Sequence, residues 1–122
     1  VLSNSNRSQF LCFQRFPKVA ENVLRESTLL SERINQLYPE TVFYEQGKEK
    51  TASGKSVIWF EYKSFSLRNE QYNFIFLFHD MDQLTVMGKF ICPFPDYVYL
   101  KPSLIDMIRT IYELNEKRNE NA

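Results

Sequence analysis

Three runs of residues in the middle of the chain constrain its fold more than anything else in the sequence. Lys55–Phe65, Gln71–His79 and Leu84–Cys92 follow one another with only short polar connections between them. Each alternates in the manner of a β-strand. The first sets Val57 and Trp59 against Ile58, Phe60 and Tyr62. The second sets Tyr72, Phe74, Phe76 and Phe78 against Ile75 and Leu77. The third sets Leu84, Val86 and Phe90 against Met87 and Ile91. Connections this short join neighbouring antiparallel strands, because parallel pairing needs a long crossover. Both alternating sets are apolar near the strand centres. A sheet with one wet face would show a polar outer set instead, so two covering layers are expected.

The flanking segments supply the candidates for those layers. Gln9–Phe16 predicts a further strand, with Phe10, Cys12 and Phe16 on one face and Leu11 and Phe13 on the other. Pro17 is expected to end it and to open a helix over Lys18–Tyr38. There Val19, Val23, Leu30, Ile34, Leu37 and Tyr38 form one apolar stripe that weakens at Ser27 and Thr28. Pro39 ends that helix. Thr41–Gln46 predicts another strand, and the polar stretch from Gly47 to Gly54 predicts a turn region. A final helix is expected to open at Pro102, with Leu104, Ile105, Ile108, Ile111 and Tyr112 on its buried side. The expected fold class is α+β: a central antiparallel meander with helices on both faces, an α/β/α sandwich. Residues 1–8 are expected to be a loose lead-in, 9–115 one domain, and 116–122 a fraying charged tail.

Composition narrows the function classes. Fifteen Lys and Arg balance fifteen Asp and Glu in 122 residues, for a formal charge of +0. A nucleic-acid-binding domain normally carries a basic excess, so no nucleic-acid partner is expected. The apolar stretch around Phe74–Phe78 is far below the ~20 residues that span a bilayer, so no transmembrane segment is expected. The chain opens on Val1, which points to processing or excision from a longer protein. A cytoplasmic setting is favoured, and an export signal or anchor upstream of Val1 is left open. Cys12 and Cys92 are too few for a disulfide framework; they read as buried free thiols, with a single bridge between them as the alternative that sequence leaves open.

Candidate chemistry is sparse. His79 is the only histidine and stands beside Asp80 and Asp82. A small-molecule or hydrolytic site built on that trio is one reading; a polar hairpin turn is the other. A metal site wants three or four ligands, and no second cluster exists to complete one, so no metal and no cofactor are expected. Gly54-Lys55-Ser56 looks like the end of a phosphate-binding loop. However, the glycine spacing is wrong, and the residues that follow form a strand pattern where the motif needs a helix. A cysteine nucleophile could find a base only in His79, and both cysteines lie in apolar strand patterns. No catalytic residue is therefore assigned. The Pro93–Tyr99 run is an aromatic loop, and Phe94, Tyr97 and Tyr99 are the candidate partner-binding residues.

The element order resembles the PsbP-like fold family. The residues that carry the likeness are Gln36-Leu37-Tyr38-Pro39-Glu40 and Ser53-Gly54-Lys55 leading into Val57-Ile58-Trp59-Phe60-Glu61-Tyr62. The rest are Lys89-Phe90-Ile91-Cys92-Pro93 and the Lys101–Ile108 helix. The likeness runs from about Gln9 to Tyr112 and is one of element order. The family includes an extrinsic photosystem II subunit, a Ran-binding nuclear-import factor and many bacterial proteins of unknown role. The resemblance implies a bacterial, non-enzymatic binding or adaptor domain that engages a protein partner. It transfers no site residue. A structural subunit that is monomeric or dimerises through an open sheet edge is the remaining alternative.

Overall fold

The structure is a computed structural model that describes residues 10–66, 69–80 and 83–111. The expected lead-in and tail, Tyr112, and Asp82 of the His79 trio lie outside the described residues. Five strands and two helices make an α+β fold: β1 (Phe10–Pro17), α1 (Val23–Leu37), β2 (Val42–Lys50), β3 (Ser56–Ser66), β4 (Asn69–His79), β5 (Leu84–Pro93) and α2 (Tyr97–Arg109). A single 3₁₀ turn, Phe94–Asp96, leads into α2. The sheet is antiparallel throughout and open, in the order β1-β5-β4-β3-β2. β2 to β5 form the expected meander, and β1 closes against β5, so both β1 and β2 are edges.

The alternation sorts the core into two clusters. Val57, Trp59, Tyr72, Phe74, Phe76, Phe78, Val86 and Cys92 gather with Leu104 and Ile108 of α2. Ile58, Phe60, Tyr62, Ile75 and Leu77 gather with Val23 of α1, and Phe16, Leu30, Ile34 and Met87 pack against them. Cys92 belongs to the first cluster. Cys12 is paired with Lys89, one strand position away from the face that Cys92 shares with Gly88 and Phe90. Their side chains therefore point to opposite sides of the sheet, and both thiols are free.

Four expectations at element ends need correction. Pro17 does not open α1; it is the last residue of β1, opposite Leu84. The helix starts at Val23, because Asn22 is its N-cap and accepts from Arg25 N–H at 2.8 Å. Gly47 is not a turn residue but lies inside β2, which runs on to Lys50. The turn is confined to 51–55, where Thr51 N–H donates to the Lys55 carbonyl and Gly54 takes a left-handed φ of 91°. Pro102 does not open α2 but stands inside it. The Pro102 nitrogen has no hydrogen to give the carbonyl of Val98, a residue that is itself half exposed.

Candidate functional site

Polar side chains enter the interior at two places, one on each side of the sheet. The first is built around Glu26 in the opening turns of α1. Its phase on the helix is that of Val23 and Leu30, so the carboxylate is carried inward with the apolar stripe and is 3% exposed. It is met there by donors from three segments. Thr85 Oγ1 on β5 donates to it at 2.6 Å, His79 Nε2 on β4 lies at 2.5 Å, and Val19 N–H donates at 2.7 Å. Burial pushes this carboxyl up. The Thr85 hydroxyl, the Val19 amide and the His79 ring more than offset that, and its pKa falls below the ordinary 4.5. The residues from Lys18 to Asn22, expected as helix, instead bring the Val19 amide to Glu26.

The chemistry open to this cluster follows from where its protons point. Thr85 donates its hydroxyl hydrogen to Glu26, the geometry of a hydroxyl and its base, but Thr85 is fully buried, which closes that hydroxyl to a substrate. His79 is turned toward Glu26 and not toward Asp80, its neighbour in sequence. Asp80 is buried, and its carboxylate lies 3.9 Å from Arg15 of β1. The arrangement ties the start of α1 to β4 and β5. Glu26 is the residue missed by the sequence reading. The signal was the weakened stripe at Ser27 and Thr28, which marks where a polar cluster replaces apolar packing.

The second place is Glu61 on β3, also 3% exposed. Tyr72 Oη donates to it at 2.6 Å and Lys101 Nζ of α2 at 3.1 Å. The third donor is Glu45 N–H at 3.2 Å, which lies where a bulge between Phe43 and Gln46 breaks the register of β2 against β3. Lys101 also reaches Glu45 at 2.5 Å and lies 5.2 Å from the centre of the Trp59 ring. Its ammonium is displaced upward. Burial alone would lower it, and the two carboxylates outweigh that burial.

The Pro93–Tyr99 aromatics divide. Tyr97 stacks on Tyr72 with ring centres 4.8 Å apart, and Phe94 packs at 5.1 Å from Tyr97 and 5.8 Å from Tyr44. Lys63 Nζ sits 4.8 Å from the centre of the Phe94 ring. Tyr99 is 79% exposed. Gly54-Lys55-Ser56 is a turn running into β3, and Lys55 N–H donates to Thr51 Oγ1 at 3.0 Å.

Two of the clefts that border α1 reach the buried sheet residues Leu77 and Ile75. One, of about 500 Å³, is lined by Phe16, Val19, Leu30, Arg33 and Leu77, with Glu26 at its wall. The other, of about 340 Å³, runs between Leu30, Ile34 and Tyr38 of the helix and a floor of Ile75, Met87 and Ile91. Its lining includes Glu40 and Lys89. Both volumes fall within the range of ordinary ligand sites. Among the described residues, no three His, Cys, Asp or Glu gather as a metal would need, and no helix is long and apolar enough to cross a membrane.

No family profile matches the chain, and no curated protein matches it. Among solved structures it is similar to a Pseudomonas aeruginosa protein of unknown function for which a regulatory role has been suggested. The two share 7% sequence identity with a TM-score of 0.64, over 90% of this chain and 87% of that one. At that identity the likeness is one of fold alone.

Proposed function

We propose that this is a non-enzymatic binding or adaptor domain of PsbP-like architecture. In that architecture α1 and α2 are layers on opposite faces of the sheet. The partner is a protein, and the segment recognised is an apolar stretch flanked by polar residues. The observation that carries this reading is the cleft between α1 and the sheet. Its floor of Ile75, Met87 and Ile91 is apolar, and its lining includes one acid and one base, Glu40 and Lys89. An apolar segment laid there would remove surface from water at about 25 cal/mol per Å², and these two charges would fix its direction.

The test is site-specific photocrosslinking in cells that express the intact protein. A photoreactive residue at Met87 or Ile91 is expected to trap one recurrent protein, whereas the same residue at Lys48 on β2 traps none. Ile91→Asp is expected to lose that adduct without loss of the cooperative melt. Equal trapping from Lys48 and Ile91, or none from either, would remove the reading.

A further inference from the structure

The two edges of the sheet differ in a way that bears on what each can join. β2 carries the devices that keep an edge from pairing: a bulge between Phe43 and Gln46, an interior glycine, and the charged run Lys48, Glu49 and Lys50. β1 carries almost none of them. It pairs with β5 in unbroken register from Phe10 to Pro17. Arg15 is its only charged residue, and Pro17 comes only at its end. Phe10, Leu11 and Phe13 are 54%, 42% and 55% exposed although they belong to a sheet with a dense aromatic core. A long, regular, apolar edge strand is a template for another strand.

We infer that β1 pairs antiparallel with β1 of a second copy of this chain, about a twofold axis at Phe13, to make one continuous ten-stranded sheet. Phe13 is the midpoint of Phe10–Phe16, the longest stretch that avoids Pro17. In that register Phe13 faces the second copy's Phe13, Phe10 faces Phe16, Leu11 faces Arg15 and Cys12 faces Gln14. No like charges meet. Each Arg15 stays beside its own Asp80, 3.9 Å away. The aromatic pairs formed across the axis are of the kind that stabilises antiparallel strands. The balance of fifteen positive against fifteen negative residues leaves no net repulsion between two copies. The interface is isologous and closes on itself, so it ends at a dimer.

The register makes a specific test possible. With Cys12 changed to Ser, Phe13→Cys places two introduced thiols opposite each other across the axis. Leu11→Cys places each new thiol opposite Arg15. Mild oxidation is expected to link the Phe13→Cys chains into a covalent dimer and to leave Leu11→Cys monomeric, while Leu11→Cys combined with Arg15→Cys links again. Light scattering of the unmodified protein is expected to give twice the chain mass, and Phe13→Lys to return it to the monomer mass with a native far-ultraviolet spectrum. A monomer at every concentration would overturn the inference. So would a dimer that Phe13→Lys leaves intact, or equal linking from both single cysteines, since each would place the contact elsewhere. If Phe13→Lys fails to fold, the cysteine pattern in the otherwise native chain still decides the matter.

Discussion

Gly88 on β5 lies directly opposite Phe76 on β4, and the Phe76 ring fills the space where a Gly88 side chain would stand. A Cβ built at Gly88 would fall 2.2 Å from the ring. Phe13 reaches the same spot from β1, where it is the other cross-strand neighbour of Gly88, and its ring centre is 5.9 Å from that of Phe76. One missing side chain thus lets two aromatic rings from different strands meet over a strand backbone. Gly88→Ala is expected to destabilise the protein by about 1–3 kcal/mol through overpacking, read from urea unfolding. The Phe76→Leu partner change should reduce that cost when both are combined, and strict additivity would show that the ring is not the cause.

The same relationship recurs on β2, where Gly47 pairs with Trp59 and a Cβ would fall 2.4 Å from the indole. This explains which parts of the fold were legible in the sequence. β3, β4 and β5 read clearly because apolar residues recur at every second position on both of their faces near the strand centres, and that spacing is a local property. Gly47 was read as a turn because a glycine in a polar stretch is usually one. Its reason for being in a strand is a tryptophan twelve positions along the chain, which only the pairing of β2 with β3 reveals. Pro17 and Pro102 misled in the same way, since their helix-opening preference was overridden by β5 and by the 3₁₀ turn before α2. Glu26 was hidden because its partners, His79 and Thr85, are more than fifty residues away. The clefts beside α1 depend on how the helix lies across the sheet, and no spacing in the sequence reports that.

Glu61 shows how a buried carboxyl group is partnered in an aromatic core. Its donors come from Tyr72, Lys101 and the Glu45 amide. Lys101→Met is expected to cost roughly 2–3 kcal/mol, because it removes a charge-assisted hydrogen bond and leaves a desolvated carboxylate short of a partner. Glu61→Gln in the same chain should recover part of that loss. A double-mutant cycle by chemical denaturation measures the coupling; a coupling near zero would show that Lys101 is held by Glu45 alone.

The buried nucleophiles should be silent at neutral pH. Burial, with Asp96 a lesser contributor, pushes the Cys92 thiol up to about 11, and the residue is fully enclosed. Only thiolates react readily with disulfide reagents. Native protein at neutral pH is therefore expected to release about one equivalent of chromophore from such a reagent, from the partly exposed Cys12, and a second only after unfolding. Burial, then the nearby Tyr38, also pushes the Tyr62 phenol up to about 12. Fast release of both equivalents from the folded protein would mean that the first core cluster opens readily.

Glu26 is expected to contribute to the loss of stability in acid. Its pKa is lower folded than unfolded, so its contribution is complete above the ordinary carboxyl value of 4.5 and drains away as the pH falls below that value. Protonation would leave Thr85 and the Val19 amide with a weaker acceptor and would remove the charge that His79 faces. The Glu26→Gln protein keeps the shape and loses the charge. It is expected to be less stable than the native protein near neutrality by about 1–3 kcal/mol, and to show a smaller fall in stability across the acid range. The check is the urea midpoint of both proteins at intervals from about neutrality down to the acid transition. Because this carboxylate ties the start of α1 to β4 and β5, hydrogen exchange at Val23 and the residues after it should quicken before exchange in β4 as the pH drops. If the two curves stay parallel over that range, the group that limits acid stability lies elsewhere.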